Sequence, residues 1–336
     1  MIRYTDECLW AFNTFGMRAN ASELLVCESE DEVRYAVKMS GGRRFFVLGG
    51  GSNVLFVNDF AGLIIHPHIV GLRFVQESQD RIRLRVGAGE VWDSFVNYCT
   101  ERGYFGVENL SGIPGHVGAT PVQNIGAYGA EVGHFISRVY GISTETGERV
   151  EISGDECRFG YRDSVFKNEL LGKVVVCEVE YELHKQRELN LGYGDLQRET
   201  LTLSTSPTPY HVRQAVLRLR DRKLPNPHRL GNGGSFFKNP VVDESTARRL
   251  KEQYPDMPQY ASVAGSVKLA AGWLIDQCGW KGKGLGRAGV YERQALILVN
   301  LGGAEGREIV ALAEAVISDV EKKFGVRLEP EVNIIY

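Results

Sequence analysis

Several common signatures are missing from this 336-residue chain. Its six cysteines (Cys8, Cys27, Cys99, Cys157, Cys177 and Cys278) form no C-x-x-C pair, which removes the usual zinc and dithiol redox frameworks. No glycine run ends in Gly-Lys-Ser/Thr, which argues against a nucleoside triphosphatase. No uncharged apolar run approaches the roughly 20 residues of a membrane-spanning helix. The first residues, Met1-Ile2-Arg3-Tyr4-Thr5-Asp6, lack the basic-then-apolar profile of a signal peptide. Charge of one sign is also missing: 39 Lys and Arg face 42 Asp and Glu, a net of -3, with no long basic run. That balance draws neither nucleic acid nor an anionic membrane, so any anionic ligand must be met by locally placed cations. The expectation is a soluble cytoplasmic protein with reduced, largely buried thiols. A composition of 43% hydrophobic and 24% charged residues over this length suggests two or three domains.

Glycine is what the chain has in the right places. Phe45-Phe46-Val47-Leu48 runs into Gly49-Gly50-Gly51-Ser52-Asn53, and a strand entering such a turn can present a row of backbone N–H groups to an anion. The turn does not complete a G-x-G-x-x-G dinucleotide fingerprint. A second glycine-rich stretch follows, Gly112-Ile113-Pro114-Gly115-His116-Val117-Gly118-Ala119-Thr120-Pro121, continuing through Gln123-Asn124-Ile125-Gly126-Ala127-Tyr128-Gly129. Two such loops suggest a ligand with an extended phosphate-bearing body.

Periodicity sets these loops in an α+β frame. Ser29 and Glu32 form a capping-box pair before a helix over 29–40, with Val33, Ala36 and Val37 as its apolar stripe. Strands are expected at 45–48 and 62–65, in a βαβ-like unit, and at 81–86, where Arg81-Ile82-Arg83-Leu84-Arg85-Val86 alternates with period two. A helix over 91–102 and a strand over 174–183 follow. The polar, proline-bearing stretch 204–209 marks a boundary. Beyond it, helices are expected at 212–219, at 267–278 on Val267, Ala270, Ala271, Leu274 and Cys278, and at 308–324, with a strand at 295–299.

Other residues admit a chemical and a plain reading. His66 and His68, two apart on a strand, share a face and can serve a metal or simply be polar strand residues. Ser235, in Gly231-Asn232-Gly233-Gly234-Ser235-Phe236-Phe237, does not fit a hydrolase elbow because Phe237 takes the final glycine position. It is either a hydroxyl offered as proton donor or ligand, or a serine completing a turn. Arg162 in Tyr161-Arg162-Asp163 is a fork for a carboxylate or one partner of a surface ion pair. Glu331 is a carboxyl whose proton affinity burial would raise, or a solvated terminal carboxylate.

With these pieces in order, the chain resembles the UDP-N-acetylenolpyruvoylglucosamine reductase family over nearly its whole length. The matching segments are LGGGSNVLF at 48–56, NLSGIPGHVGATPVQNIGAYGAEVG at 109–133, YRDSVFK at 161–167, RKLPNP at 222–227, GNGGSFFKNP at 231–240 and LEPEV at 328–332. LGYGDL at 191–196 resembles the tyrosine-bearing loop of the family's longer form. The resemblance implies the two-part FAD-binding fold of the vanillyl-alcohol oxidase type plus a C-terminal α+β substrate domain. Its divisions are expected at 1–68, 69–207 and 208–336, the last strand returning to the second subdomain.

The resemblance also implies noncovalent FAD, held by Gly49, Gly50, Gly51, Ser52, Asn53, Gly115, Gly118, Ala119, Gln123, Asn124, Gly126 and Ala127, with no metal. NADPH is the implied reductant, and UDP-N-acetylglucosamine enolpyruvate the substrate, met by Tyr193, Lys223, Asn239 and Gln294. In the implied reaction the flavin returns a hydride to the terminal vinyl carbon. Arg162 and Glu331 stabilise the resulting enediolate-like intermediate, and Ser235 protonates the adjacent carbon. A monomer is expected. Asn333 stands where the family pattern has an arginine, and Gly233 where alanine is common. Two other readings stay open: a flavin oxidase acting on an alcohol or sugar, and a nonenzymatic flavin or nucleotide-sugar binding module.

Overall fold

The computed structural model describes residues 1–262 and 265–336, and the chain divides into two compact units. The first comprises Met1–Glu7, Ala21–Gly51 and Ala61–Arg222; the second comprises Cys8–Asn20, Ser52–Phe60 and Lys223–Tyr336. This partition differs from the expected one. The stretch 204–209 lies inside the first unit, because the helix Pro209–Lys223 buries Val212, Ala215, Val216 and Leu219 against Leu196, with Tyr128, Leu189, Leu191 and Leu203 packed alongside.

In the first unit, the helix Glu30–Ser40 starts where Ser29 accepts from the amide of Glu32 at 3.2 Å, a cap of about 1 kcal/mol. Only half of the expected capping box forms, since the Glu32 carboxylate accepts instead from the Glu28 amide. The helix buries Val33, Ala36 and Val37 among Leu25, Leu63 and Ile65 of a four-stranded sheet. In strand order that sheet is Ile2–Cys8, Asn20–Cys27, Phe60–Pro67, Phe45–Val47, with the last two parallel.

A second, antiparallel sheet runs in the order Arg149–Ser153, Ile136–Ser143, Val174–His184, Arg81–Gly87, Leu72–Glu77. The period-two pattern has a direct cause. Ile82, Leu84 and Val86 enter the core, while Arg83 and Arg85 pair across the ladder with Glu182 and Glu180. The helix Trp92–Glu101 covers the apolar face, packing the tilted rings of Trp92 and Phe95 against Tyr181.

In the second unit, a four-stranded sheet runs in the order Gly231–Ser235, Ile297–Asn300, Ala288–Val290, Gly284–Leu285. The helix Gly306–Phe324 buries Ile309, Leu312, Val316 and Val320. Val267, expected in a helix, lies in the strand Ser266–Leu269, paired on both sides by Val241–Asp243 and Gln259–Ala261; the helix covers only Ala271–Gln277. The last strand, Asn333–Ile335, pairs in parallel with Val54–Phe56 rather than with a strand of the expected second subdomain. Among the described residues, no helix is long and apolar enough to cross a membrane.

Candidate functional site

The first unit holds both glycine loops. Their backbones pass in contact: a Cβ at Gly50 would lie 2.9 Å from Cα of Gly115 and 3.1 Å from Cδ2 of His116, closer than side-chain carbons approach. Only glycine fits there. Among the described residues, the amides of Gly49, Gly50, Gly115 and His116 donate to no protein acceptor. Four backbone N–H groups of half-buried residues, without a protein acceptor and on two loops in contact, are a donor set suited to an anion. The residues present therefore fit the diphosphate of a bound dinucleotide.

Ala119 lies beside Gly49, and Gly118 donates to the carbonyl of Ala88 at 2.9 Å. The side chain of Asn124 is fully committed to the loop. It donates to Glu131 and to the carbonyl of Gly160, and accepts from the amide of Gly133. Gln123 is half-buried just before it, and Gly126 and Ala127 form a short strand paired with Ala130–Glu131.

Arg162 arises from a tight turn, Gly160–Asp163, in which it takes the left-handed conformation at φ 54°, a strained state for a residue with a side chain. Its Nη2 donates to the carbonyl of Gly126 at 2.9 Å. A side chain at Gly126 would meet Nη1 at 3.0 Å, so that glycine admits the guanidinium. The neighbouring Asp163 carboxylate accepts from Asn168. Strain and a backbone partner give Arg162 a fixed station.

Sequence reasoning passed over what anchors the second loop. Asp93 accepts from the amide of Gly112 and from both Nη atoms of Arg213. Burial alone would raise the Asp93 pKa; the Arg213 fork, the Gly112 amide and Arg220 outweigh it and hold the carboxyl below its usual value. Asn109, fully buried, ties the loop to the tyrosine segment by donating to the carbonyls of Tyr128 and Asn190. Tyr193 is exposed, its ring edge-on to Tyr128 at 5.9 Å.

His66 and His68 acquire a third member, His116, with ring centroids 5.7 to 6.4 Å apart. Nδ1–H of His66 donates to the carbonyl of Leu48 at 2.7 Å, fixing one corner of the cluster to the strand that enters the first glycine turn. Among the described residues, no group of three His, Cys, Asp or Glu side chains is arranged to hold a metal ion.

The second unit holds the remaining candidates. Ser235 ends a strand, exposed, after Gly234 at φ 72°. Its hydroxyl has no partner among the described residues. The residues that follow are clamped on both sides: the Phe236 amide donates to Leu296, the Lys238 amide donates to Glu329, and the Glu331 amide donates to Phe236. Glu331 is half-buried, and its carbonyl accepts from Nδ2 of Asn53 at 3.2 Å. Asn53 in turn accepts from Asn333, so that departure from the family pattern serves to close this strand pair.

Ser52 and Asn53 thus belong to the second unit, although Gly49–Gly51 belong to the first. Asn239 caps the helix Ala271–Gln277 by accepting from the Ala271 amide, and Gln294 closes its own turn onto the Leu296 amide. Each keeps its amide nitrogen free of those bonds. Lys223 is an exposed cation at the end of its helix.

Residues 21–153 match the domain family described as "FAD binding domain", and residues 226–335 match "UDP-N-acetylenolpyruvoylglucosamine reductase, C-terminal domain". The chain is 47% identical to UDP-N-acetylenolpyruvoylglucosamine reductase of Bacteroides fragilis strain YCH46, over 97% of this chain and 98% of that protein. It is 46% identical to the protein of the same name from Chromobacterium violaceum, over 98% of each. Among solved structures, the UDP-N-acetylenolpyruvylglucosamine reductase of Thermus caldophilus shares the fold, with a TM-score of 0.69 at 22% identity, covering 100% of this chain and 98% of that one. The chain belongs to the UDP-N-acetylenolpyruvoylglucosamine reductase family.

Proposed function

We propose that this chain performs the NADPH-dependent reduction of the enolpyruvyl ether of UDP-N-acetylglucosamine to UDP-N-acetylmuramate, for peptidoglycan precursor synthesis, and that Ser235, Arg162 and Glu331 carry the chemistry. Bound FAD supplies a hydride acceptor for NADPH and a hydride donor for the terminal vinyl carbon. Gly49, Gly50, Gly115 and His116 hold its diphosphate through backbone amides, while Gly51 and Gly118 shape the two turns. Ser52, Asn53, Ala119, Gln123, Asn124, Gly126 and Ala127 line the same cofactor, Asn124 through its backbone.

Hydride arrival at the vinyl terminus pushes electron density into the carboxylate of the substrate. Arg162 meets that charge as a planar cationic fork, a role supported by its bond to the Gly126 carbonyl. Glu331 works as a hydrogen-bonding acid on the same group. The resulting enediolate is a strong base, so the weakly acidic hydroxyl of Ser235 is sufficient to protonate the adjacent carbon where water is kept out. Tyr193 and Lys223 take the UDP diphosphate, and Asn239 and Gln294 offer their amide nitrogens to the sugar. The reading carries a cytoplasmic monomer with it.

The observation behind the catalytic assignment is the Ser235 hydroxyl, exposed and unspent on a segment clamped to Glu331. The test is anaerobic. The yellow protein is reduced with stoichiometric NADPH, the enolpyruvyl substrate is added, and flavin absorbance is followed with the product identified. Rapid reoxidation with formation of UDP-N-acetylmuramate supports the assignment. A flavin that stays bleached until oxygen is admitted contradicts it and favours an oxidase.

A further inference from the structure

The two glycine runs that cradle the diphosphate, 48–56 and 109–133, contain no lysine or arginine. Their one group able to become cationic is His116. Its ring sits where the loops cross, with Cδ2 3.1 Å from the Cβ position of Gly50. Nδ1 of that ring is buried and has no hydrogen-bond partner among the described residues. A sequestered imidazole nitrogen without a partner, beside four unspent amides, points to a ligand atom that completes it. His66 and His68 stand behind it at 5.7 and 6.4 Å between ring centroids.

We infer that His116, backed by His66 and His68, is the cationic group that receives the diphosphate of FAD, and that cofactor binding takes up a proton into this cluster. The inference rests on the FAD reading above. It adds a ligand that is a switchable cation, where the glycine loops alone supply fixed dipoles.

The electrostatics of the free protein fit. Burial, aided by His66 and His68, pushes the pKa of His116 down to about 4. Burial also holds His66 below the usual imidazole value, against the Leu48 carbonyl and with His68 adding to the lowering. His116 and His66 are therefore neutral near pH 7 without the ligand. Few titratable groups pack around the cluster. On the strand Phe60–Pro67 and just after it they are His66 and His68, and on the second loop His116. The glycine turn Gly49–Gly51 contributes no charge. On the segment after Arg81–Gly87 there is Glu90, whose carboxylate accepts from the Gly71 amide. No carboxylate is among the groups that shift His66 or His116.

An anion brought within about 4–6 Å of such a group raises its pKa by roughly 1–3 units. Binding then consumes a proton, and affinity must fall as pH rises between the free and the bound values. Where one full proton is taken up, the dissociation constant rises about tenfold per pH unit.

The test uses protein stripped of FAD and titrated with FAD from pH 5.5 to 8.5, following quenching of flavin fluorescence. Binding heats in two buffers of different ionisation enthalpy count protons. The wild type is expected to weaken as pH rises to about 7, to level off above it, and to take up a proton at the acid end of the range. His116→Gln is expected to lose the slope and the uptake, and to bind at least tenfold more weakly at pH 6. His68→Gln, at the half-exposed edge of the cluster, is expected to bind FAD with a reduced uptake, and serves if His116→Gln does not fold by circular dichroism. Saturable binding that is flat with pH overturns the inference and leaves the FAD reading intact. A slope unchanged in His116→Gln, or in His68→Gln if that alone folds, overturns it as well. No saturable FAD binding at any pH overturns both.

Discussion

The amide of Glu331 donates to the carbonyl of Phe236 at 2.7 Å, which locks the carboxyl-bearing residue to the neighbour of Ser235. Two residues 96 positions apart by number are thus held by one short ladder, closed again by the Lys238 amide on Glu329 and by Asn53 on the Glu331 carbonyl. Backbone, not side chain, positions Glu331. Substituting its side chain leaves the ladder in place, which makes its chemical role separable from its structural one.

Glu331→Gln keeps the shape and removes the acid. The expected variant folds normally, binds FAD as the wild type does, and loses about 10²-fold or more in turnover, the scale of one general acid or charge-stabilising group. Steady-state kinetics with matched flavin content checks this. Unchanged kcat returns Glu331 to a solvated terminal carboxylate.

Arg162→Lys keeps a positive charge and loses the planar fork that donates to Gly126. Turnover is expected to drop by about 10²-fold or more with NADPH reduction of the flavin retained. Equal loss in both half-reactions would mean that the substitution disturbs the loop rather than the substrate carboxylate.

Gly50→Ala places a methyl 2.9 Å from Cα of Gly115. One of the two loops must move, and the amide cradle opens. The variant should purify with little flavin and with FAD affinity lowered at least tenfold, an estimated cost of about 1.4 kcal/mol or more in binding. Wild-type affinity, measured by fluorescence titration, would show that the cradle is not formed by this crossing.

Asp93→Ala strips the loop anchor and leaves Arg213 without its bidentate partner. Asp93 is about one-third exposed, its side chain at 32%, so the loss is set at about 2–3 kcal/mol, below the figure for a fully buried pair. A urea unfolding midpoint measures it. The folded pKa of Asp93 lies below 3.8, so its stabilisation is full above that unfolded value and disappears as pH falls through the lower folded one. Acid unfolding of the wild type should therefore show a contribution below about pH 4 that the variant lacks.

Local pattern made much of this molecule legible. Arg81–Val86 announces a two-sided strand because its arginines meet glutamates across the ladder and its aliphatics meet the helix Trp92–Glu101. The glycine loops are legible because backbone approach leaves a compositional trace. Pairings distant in sequence leave none. Arg213 reaches Asp93 across 120 positions, and His116 joins His66 and His68 from a different loop. Val267 misleads because a short strand between two partners carries the same apolar residues as the first turn of a helix. Asn239 and Gln294 show another limit: a side chain marked for substrate can also cap a helix or a turn, and only hydrogen bonds reveal it.

The most direct measurement separates the two half-reactions in Ser235→Ala. Rapid mixing follows flavin bleaching by NADPH, and then, anaerobically, recovery of the yellow colour on adding the enolpyruvyl substrate. The account predicts bleaching at the wild-type rate and recovery slowed by about 10²–10⁴-fold, the range for loss of a positioned proton donor. Recovery at the wild-type rate would contradict it and leave Ser235 as the end of a turn.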